Sequence, residues 1–470
     1  MCKVTILLLF AALSAQAQSP VAIEIHPEKP GSTIPEDFLG LSFETSSVLP
    51  KPDGRYLFRP DNSRLIRLFQ TLGIKSLRIG GNTADRSKVK IPAGADLDNL
   101  FSFASKTGVR VIYTLRLRDS SAGEAANTAQ YLVGHYKEGL DCLAIGNEPD
   151  KYFSDYSAYR GQLEKFMDAI VALPHASGVK FCGPATTPAK PEWARGLAND
   201  PTLSGRMHWI TQHAYPGGSA RKVQDPAAAR RTLLSGELQK SYENFYQAFG
   251  PEITSHGLAY RLEETNNFFH GGAGDVSDTF ASALWALDYL YWWASHGAQG
   301  LNFHTGDNVA AGETQTASRY AVFWTSNAGY SVHPLGYGLK TFDMGAHGRL
   351  LPVDFVANRD GIHLTAYAVR GGRSLFITLI NKEEERAAVV NITLPASYAQ
   401  AQEMLLSAPK NDISAKSGIT LGGAPITDEG RWSGAWSSLQ LSASDRKLSI
   451  NLPPATAAVI KLTSSGDTAP

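Results

Sequence analysis

The stretch Cys142-Leu143-Ala144-Ile145-Gly146-Asn147-Glu148-Pro149-Asp150 decides the fold. A short apolar run ends abruptly in Asn-Glu-Pro. Proline has no N–H for a sheet ladder, so a strand over Cys142–Asn147 is expected to stop there. Asn147 and Glu148 then stand at its C-terminal mouth, which in a barrel of parallel strands carries the catalytic side chains. Two requirements follow: seven sister strands and a second carboxylate.

The sister strands lie on both sides. Upstream, Phe38–Glu44, Ser76–Gly80 and Arg110–Leu115 read as strands one to three. Downstream come Val179–Cys182, ended by Gly183-Pro184, then His208–His213, Ala259–Glu264 and Leu301–His304. Helical spacing fills the gaps. Leu65, Leu68, Phe69 and Leu72 mark one helix, with Gly73 as its stop. Asp278–His296 is another, and its Trp285, Tyr289, Trp292 and Trp293 read as core packing rather than a sugar platform. Eight strand–helix units predict an α/β fold, a (β/α)₈ TIM barrel over 38–344. A doubly wound open sheet is the alternative, but no Gly-x-Gly-x-x-Gly fingerprint follows the first strand.

Beyond Gly345 the pattern changes. Gly361–Val369, Ser374–Ile380, Ala387–Leu394, Leu439–Ala443, Lys447–Leu452 and Ala457–Leu462 read as short strands without helices between them. They predict an accessory antiparallel β-sandwich over 345–465. The segment 20–37, with its alternating Pro20–His26, is expected to add a strand to it. Ser464–Pro470 reads as a frayed tail.

The chain has 470 residues, 43% hydrophobic and 19% charged, which suits one large and one accessory domain. Lys+Arg and Asp+Glu are equal at 44 each, so no global basic field favours nucleic acid or an anionic membrane. Residues 1–17 read as a signal peptide: Lys3, the apolar Ile6–Phe10, and Ala15-Gln16-Ala17 as cleavage site. An exported protein, periplasmic or secreted, is expected after cleavage near Ala17. That run is too short to span a bilayer, and no later stretch is long enough. Cys2 departs with the leader. Cys142 and Cys182 read as small hydrophobes in strands; a disulfide is conceivable, but sequence does not fix its geometry. No metal or cofactor is expected, and a monomer is.

Glu44, Arg78, Asn82, Asn147, Glu148, His213, Tyr215, Glu263, Glu264 and His304 all fall at or just beyond predicted strand ends, so they should converge on one pocket. Glycosidic cleavage needs one carboxylic acid to protonate the leaving oxygen and one carboxylate to attack or to activate water. Glu148 after strand four and Glu263 or Glu264 after strand seven face each other across such a mouth. Asn147 is placed to meet a sugar 2-hydroxyl, and His213 and Tyr215 to orient the second carboxylate.

Ile145-Gly146-Asn147-Glu148-Pro149 with Leu262-Glu263-Glu264-Thr265-Asn266-Asn267 resembles the clan A retaining glycoside hydrolases. Leu77-Arg78-Ile79-Gly80-Gly81, His213-Ala214-Tyr215, and Gly271-Gly272-Ala273-Gly274 followed by Ser277-Asp278-Thr279-Phe280 narrow the resemblance to glycoside hydrolase family 79, the β-glucuronidases and heparanases. The strand-rich ending from Tyr337 to Leu462 agrees with that family's sandwich.

The resemblance implies Glu148 as acid/base, Asn147 as the 2-hydroxyl contact and Glu264 as nucleophile, with Glu263 its rival. It also implies that N–H groups of Gly271 and Gly272 and a tyrosine hydroxyl hold a uronic carboxylate. Tyr320 is the candidate tyrosine and Tyr330 the competitor. Phe269 departs from the family, which often has a tyrosine there. Glu44 and Asn82 complete the expected substrate contacts. The implied activity is retaining, exo-acting hydrolysis of terminal β-linked glucuronic acid from glycans or glycoconjugates, with carboxyl groups ~5–5.5 Å apart. Three alternatives stand beside it: an endo-acting heparanase-like hydrolase, which the charge balance disfavours; a clan A retaining β-glycosidase for neutral sugars; and a non-catalytic carbohydrate-binding protein, which the presence of both carboxylates disfavours.

Overall fold

Strand β1 (Val21–Ile25) precedes eight strands that close on one another: β2 (Leu39–Glu44), β3 (Ser76–Gly80), β4 (Arg110–Leu115), β5 (Leu140–Ile145), β6 (Phe181–Thr186), β7 (Met207–Ala214), β8 (Tyr260–Thr265) and β9 (Leu301–His304). All eight neighbouring pairs are parallel, including β2 with β9, so the sheet has no free edge. This computed structural model describes residues 20–311, 314–357, 362–441 and 446–464. The leader read over 1–17, and the tail beyond Ser464, lie outside them. No helix among the described residues is long and apolar enough to cross a membrane.

Two strand ends differ from the sequence expectation. β5 stops at Ile145, two residues early, because Gly146 turns out of the ladder before Pro149 is reached. β6 runs on through Gly183-Pro184 instead of ending there. Its ladder to β7 shifts register between Pro184 and Thr186, and such an irregularity is where a missing N–H costs least. The cysteines also correct a reading: Cys142 and Cys182, on adjacent strands with Cα atoms 5.9 Å apart, form a disulfide. In the ladder Arg78 pairs with Ile112 and Ile112 with Cys142, so the bridge lies on the strand faces that line the barrel interior.

Helix Phe280–Ser295 buries all but one of its 16 residues, Trp285 and Trp293 among them. A helix apolar all round must be covered all round. The barrel covers one side, helix Pro334–Gly345 another, and the sandwich a third. Between β9 and Pro334 the chain forms two hairpins that the sequence reading did not include, Asn308–Ala311 with Thr314–Ala317 and Phe323–Thr325 with Tyr330–Val332. Their strands are only three or four residues long, too short for a periodicity to show.

The C-terminal region forms two sheets. β1 sits in a four-stranded sheet between Val353–Ala357 and Ala388–Thr393, and its pairing with the latter is parallel. A strand delivered from the far end of the chain is under no hairpin constraint, so this sheet departs from a purely antiparallel pattern. The facing seven-stranded sheet includes Leu364–Gly371, Ser374–Asn381, Thr456–Thr463 and Gln400–Ser407. Val21, Ile23, Ile377, Val390, Ile450 and Ile460 pack between the two.

Asp288, the one charge of helix Phe280–Ser295, ties barrel to sandwich. It accepts from Lys382 Nζ at 3.0 Å and from the Tyr367 hydroxyl at 2.8 Å. Both members of the ion pair are almost wholly buried. Asp288→Ala strands a buried ammonium, so urea denaturation should show a loss of ~3 kcal/mol. A change within ±0.5 kcal/mol would mean that the contact does not hold the two parts together.

Candidate active site

The polar residues gathered at the C-terminal mouth owe their positions to backbone irregularities. Gly146 takes φ 82°, and a Cβ there would lie 2.7 Å from the Tyr152 hydroxyl. Glu148 itself takes φ 48°, a left-handed conformation that non-glycine residues adopt at a cost of ~1 kcal/mol or more. Its N–H bonded to Ala185 O at 3.0 Å holds it there. On the opposite wall, the ladder between β7 and β8 jumps from Gln212–Leu262 to His213–Glu264. This bulge at Glu263 breaks the alternation of a strand, so consecutive glutamates both face the interior.

Arg78, on β3 and fully buried, lies beneath both carboxylate-bearing segments. Its Nη1 donates to Glu264 Oε2 at 2.6 Å and to Ser42 Oγ at 3.2 Å, and its Nη2 donates to Asn147 Oδ1 at 2.7 Å. Glu263 Oε1 is 3.7 Å from the same guanidinium. The Tyr215 hydroxyl donates to Glu264 Oε1 at 2.8 Å, so both oxygens of Glu264 are held. Burial disfavours the Glu264 anion, but His304, His213, Arg78 and the Tyr215 hydroxyl outweigh it and hold the carboxyl far below the usual carboxylate range. Burial, then the Glu264 charge, pushes the Tyr215 and Tyr320 phenols well above their ordinary range, so both remain donors.

Glu148 and Glu264 line one cavity of about 760 Å³ with Asn82, Asn147, Tyr215, His304 and Tyr320. Glu263 lies beneath the cavity, with no exposure. His213 was expected to orient the second carboxylate; instead its Nδ1 donates to Glu148 Oε1 at 3.1 Å and stays 3.8 Å from Glu264. The ring thus lies opposite Glu264 in the ladder but turns its Nδ1 to Glu148. Burial tends to raise the Glu148 carboxyl, but the His213 hydrogen bond and the His213 and Lys151 charges bring it below its ordinary value.

Other expected contacts are redistributed. Glu44 does not line the cavity: its Oε2 accepts from the Thr83 N–H at 2.7 Å and the Thr83 hydroxyl at 2.6 Å, and its Oε1 lies 3.6 Å from His304. Gly271 and Gly272 do not line it either. Gly271 O accepts from the Arg319 N–H at 2.6 Å, and a Cβ on Gly272 would come within 2.6 Å of Tyr320 N. These glycines therefore seat the Tyr320 backbone, and Tyr320 reaches the cavity in their place. Tyr330 is remote from it, with its hydroxyl accepting from Asn62 Nδ2 at 2.6 Å.

Three residues outside the sequence reading matter here. Asp85 accepts from the N–H groups of Leu117, Arg118 and Asn147 and from the Tyr152 hydroxyl, at 2.6–3.0 Å, tying the loops after β3, β4 and β5 together. Asn266 Nδ2 donates to His304 O and Tyr320 O. Lys151 is ion-paired with Glu148 Oε2. Only Lys151 had a local signal, three positions beyond Glu148. Glu148, His213 and Glu264 also offer ligand-type atoms within 4.8 Å of one another. Arg78, Lys151 and Tyr215 already occupy those carboxylate oxygens, so a metal ion there would sit against two cations.

No family model matches the chain. A β-glucuronidase from Aspergillus niger is 24% identical over 192 residues, covering 35% of this chain and 34% of that protein. The chain thus spans about a third of the length of this curated relative. Among solved structures, a 4-O-α-L-rhamnosyl-β-D-glucuronidase from Fusarium oxysporum 12S matches with a TM-score of 0.71 at 19% identity, over 93% of this chain and 99% of that one. A GH51 arabinofuranosidase from Xanthomonas axonopodis pv. citri matches with a TM-score of 0.68 at 14% identity, over 94% and 100%. The structures establish the barrel-and-sheet fold, and the two glucuronidases bear out the family resemblance seen in the motifs.

Burial opposes the charge on His213, yet Glu264, Glu148 and Glu263 around it push its pKa up to about 9. A histidine raised on folding contributes stability that is fully present below its unfolded pKa of ~6.5 and is lost as pH rises through the folded value. Imidazole NMR should therefore show His213 still protonated at pH 7.5, and stability in urea should decline between pH 6.5 and about 9. A ring that titrates at or below ~6.5 would contradict this electrostatic picture.

Proposed function

We infer that the chain is a retaining exo-β-glucuronidase, exported after removal of residues 1–17. The observation that carries the reading is the approach of one oxygen each of Glu148 and Glu264 to within 4.8 Å across the mouth. Carboxyl groups ~5–5.5 Å apart suit double displacement, whereas inversion needs ~6.5–9.5 Å to admit water.

Each group then has a role that fits its surroundings. Glu264, ionised and held by Arg78 and Tyr215, attacks the anomeric carbon. Glu148 gives its proton to the departing oxygen, and then takes one from the water that hydrolyses the glycosyl ester. Asn147 Oδ1 is occupied by Arg78, which leaves its amide hydrogens to donate to the 2-hydroxyl. Glucuronate as the sugar is supported by the likeness to two glucuronidases and by the cations and tyrosines of the cavity. Export is supported by the Cys142–Cys182 disulfide, a bond that persists in oxidising compartments.

A panel of aryl β-glucuronide, β-glucoside and β-xyloside tests the reading. Turnover should favour the glucuronide, and Glu148→Gln and Glu264→Gln should each lower it by ~10²–10⁴-fold. Preference for the glucoside would overturn the substrate, and full activity in both variants would overturn the mechanism.

A further inference from the structure

Lys151 has no direct part in the double displacement, yet it touches the residue that does most of the proton transfer. It closes the short turn Pro149–Lys151 after β5, and its ammonium is ion-paired with Glu148 Oε2. The side chain is 54% exposed against 8% for Glu148, so its stem reaches from solvent into the cavity that both line. This pairing works against a general acid. A carboxylate held by an ammonium on one oxygen and by His213 on the other has no proton to give.

Burial and the Glu264 charge oppose that state but do not overcome it. Glu148 in turn raises the Tyr215 and Tyr320 phenols, while Glu264 and Asp150 hold the charge on Lys151, which bears on His270. Arg78 is fully buried and its Nη1 and Nη2 are bonded to Glu264, Asn147 and Ser42, so it cannot move to a substrate. Lys151 can, because a half-solvated ammonium on a flexible four-carbon stem changes partner readily.

We propose that Lys151 is the anion sensor of this site: it leaves Glu148 for the carboxylate of an entering uronide, and its departure lets Glu148 take up the proton needed for catalysis. Glu148 gains that proton from solvent and passes it to the glycosidic oxygen. The bond from that oxygen to the anomeric carbon breaks, and the bond to Glu264 forms. A neutral sugar of the same shape offers nothing to draw Lys151 away, so selection for the acid falls on kcat as well as on binding. This role presupposes the glucuronidase activity inferred above, and names the residue through which the anionic substrate is sensed.

The test is the pH dependence of kcat for phenyl β-glucuronide and phenyl β-glucoside in the wild type, Lys151→Met and Lys151→Arg. In the wild type the basic limb for the glucoside should lie ~1 pH unit or more below that for the glucuronide. In Lys151→Met the two limbs should converge as the glucoside limb rises, and kcat/KM for the glucuronide should fall ~10–100-fold. Lys151→Arg should keep the split. An equal loss on both substrates with unmoved limbs would reduce Lys151 to a structural residue and overturn the proposal. Wild-type limbs that already coincide would overturn it as well. Failure of the underlying reading is distinguishable, because the wild type would then show no preference for the glucuronide at any pH.

Discussion

A buried guanidinium holds this site together. Arg78 has no exposed surface, and desolvating a cation so completely is tolerated only where anionic and polar partners surround it. Glu264, Glu263, Asn147 and Ser42 are those partners, drawn from β2, β8 and the turn after β5. The requirement is mutual. Without Arg78, Glu263 and Glu264 would be adjacent buried carboxylates, and one would be driven to take a proton. With it, Glu264 stays ionised and points at the cavity. Gly80 is part of the same arrangement, since a Cβ there would lie 2.2 Å from the Arg78 Cζ.

Around that cation the backbone departs from regular strands where the chemistry needs it. Gly146 ends β5 early, Glu148 takes a left-handed conformation, and the bulge at Glu263 sets two consecutive glutamates on one side of β8. Regular strands would have sent one of those glutamates outward and left Glu148 in line with the ladder. The disulfide between β5 and β6 and the Asp85 network linking three loops brace the Glu148 side. Asn266 braces the other, tying β9 to the Tyr320 segment.

Much of this was legible in the sequence, for a physical reason. A barrel strand announces itself as an apolar run ended by a polar residue, and eight such runs at strand–helix spacing leave few other folds. Glu148, Glu264 and Tyr215 were expected at one mouth because they follow the ends of strands, and all three line the cavity. What escaped depends on side-chain partnership across the barrel. That His213 bonds Glu148, although the ladder sets it opposite Glu264, depends on how the ring is turned, which no periodicity shows. Gly271 and Gly272 look like an anion cradle in sequence, but Gly271 O accepts from Arg319 N–H and the space beside Gly272 is filled by the Tyr320 backbone. The equality of acidic and basic residues in the whole chain gave no hint that a lysine sits on the Glu148 carboxylate.

Under the double displacement inferred above, Glu264 bonds to the sugar while Glu148 handles protons. Treating the protein with a 2-deoxy-2-fluoro β-glucuronide bearing a good leaving group slows the second step and traps the first. Peptide mass analysis should then find one glycosyl ester, on Glu264. A label on Glu263 would move the nucleophile, and inverted product with no ester formed would contradict double displacement altogether.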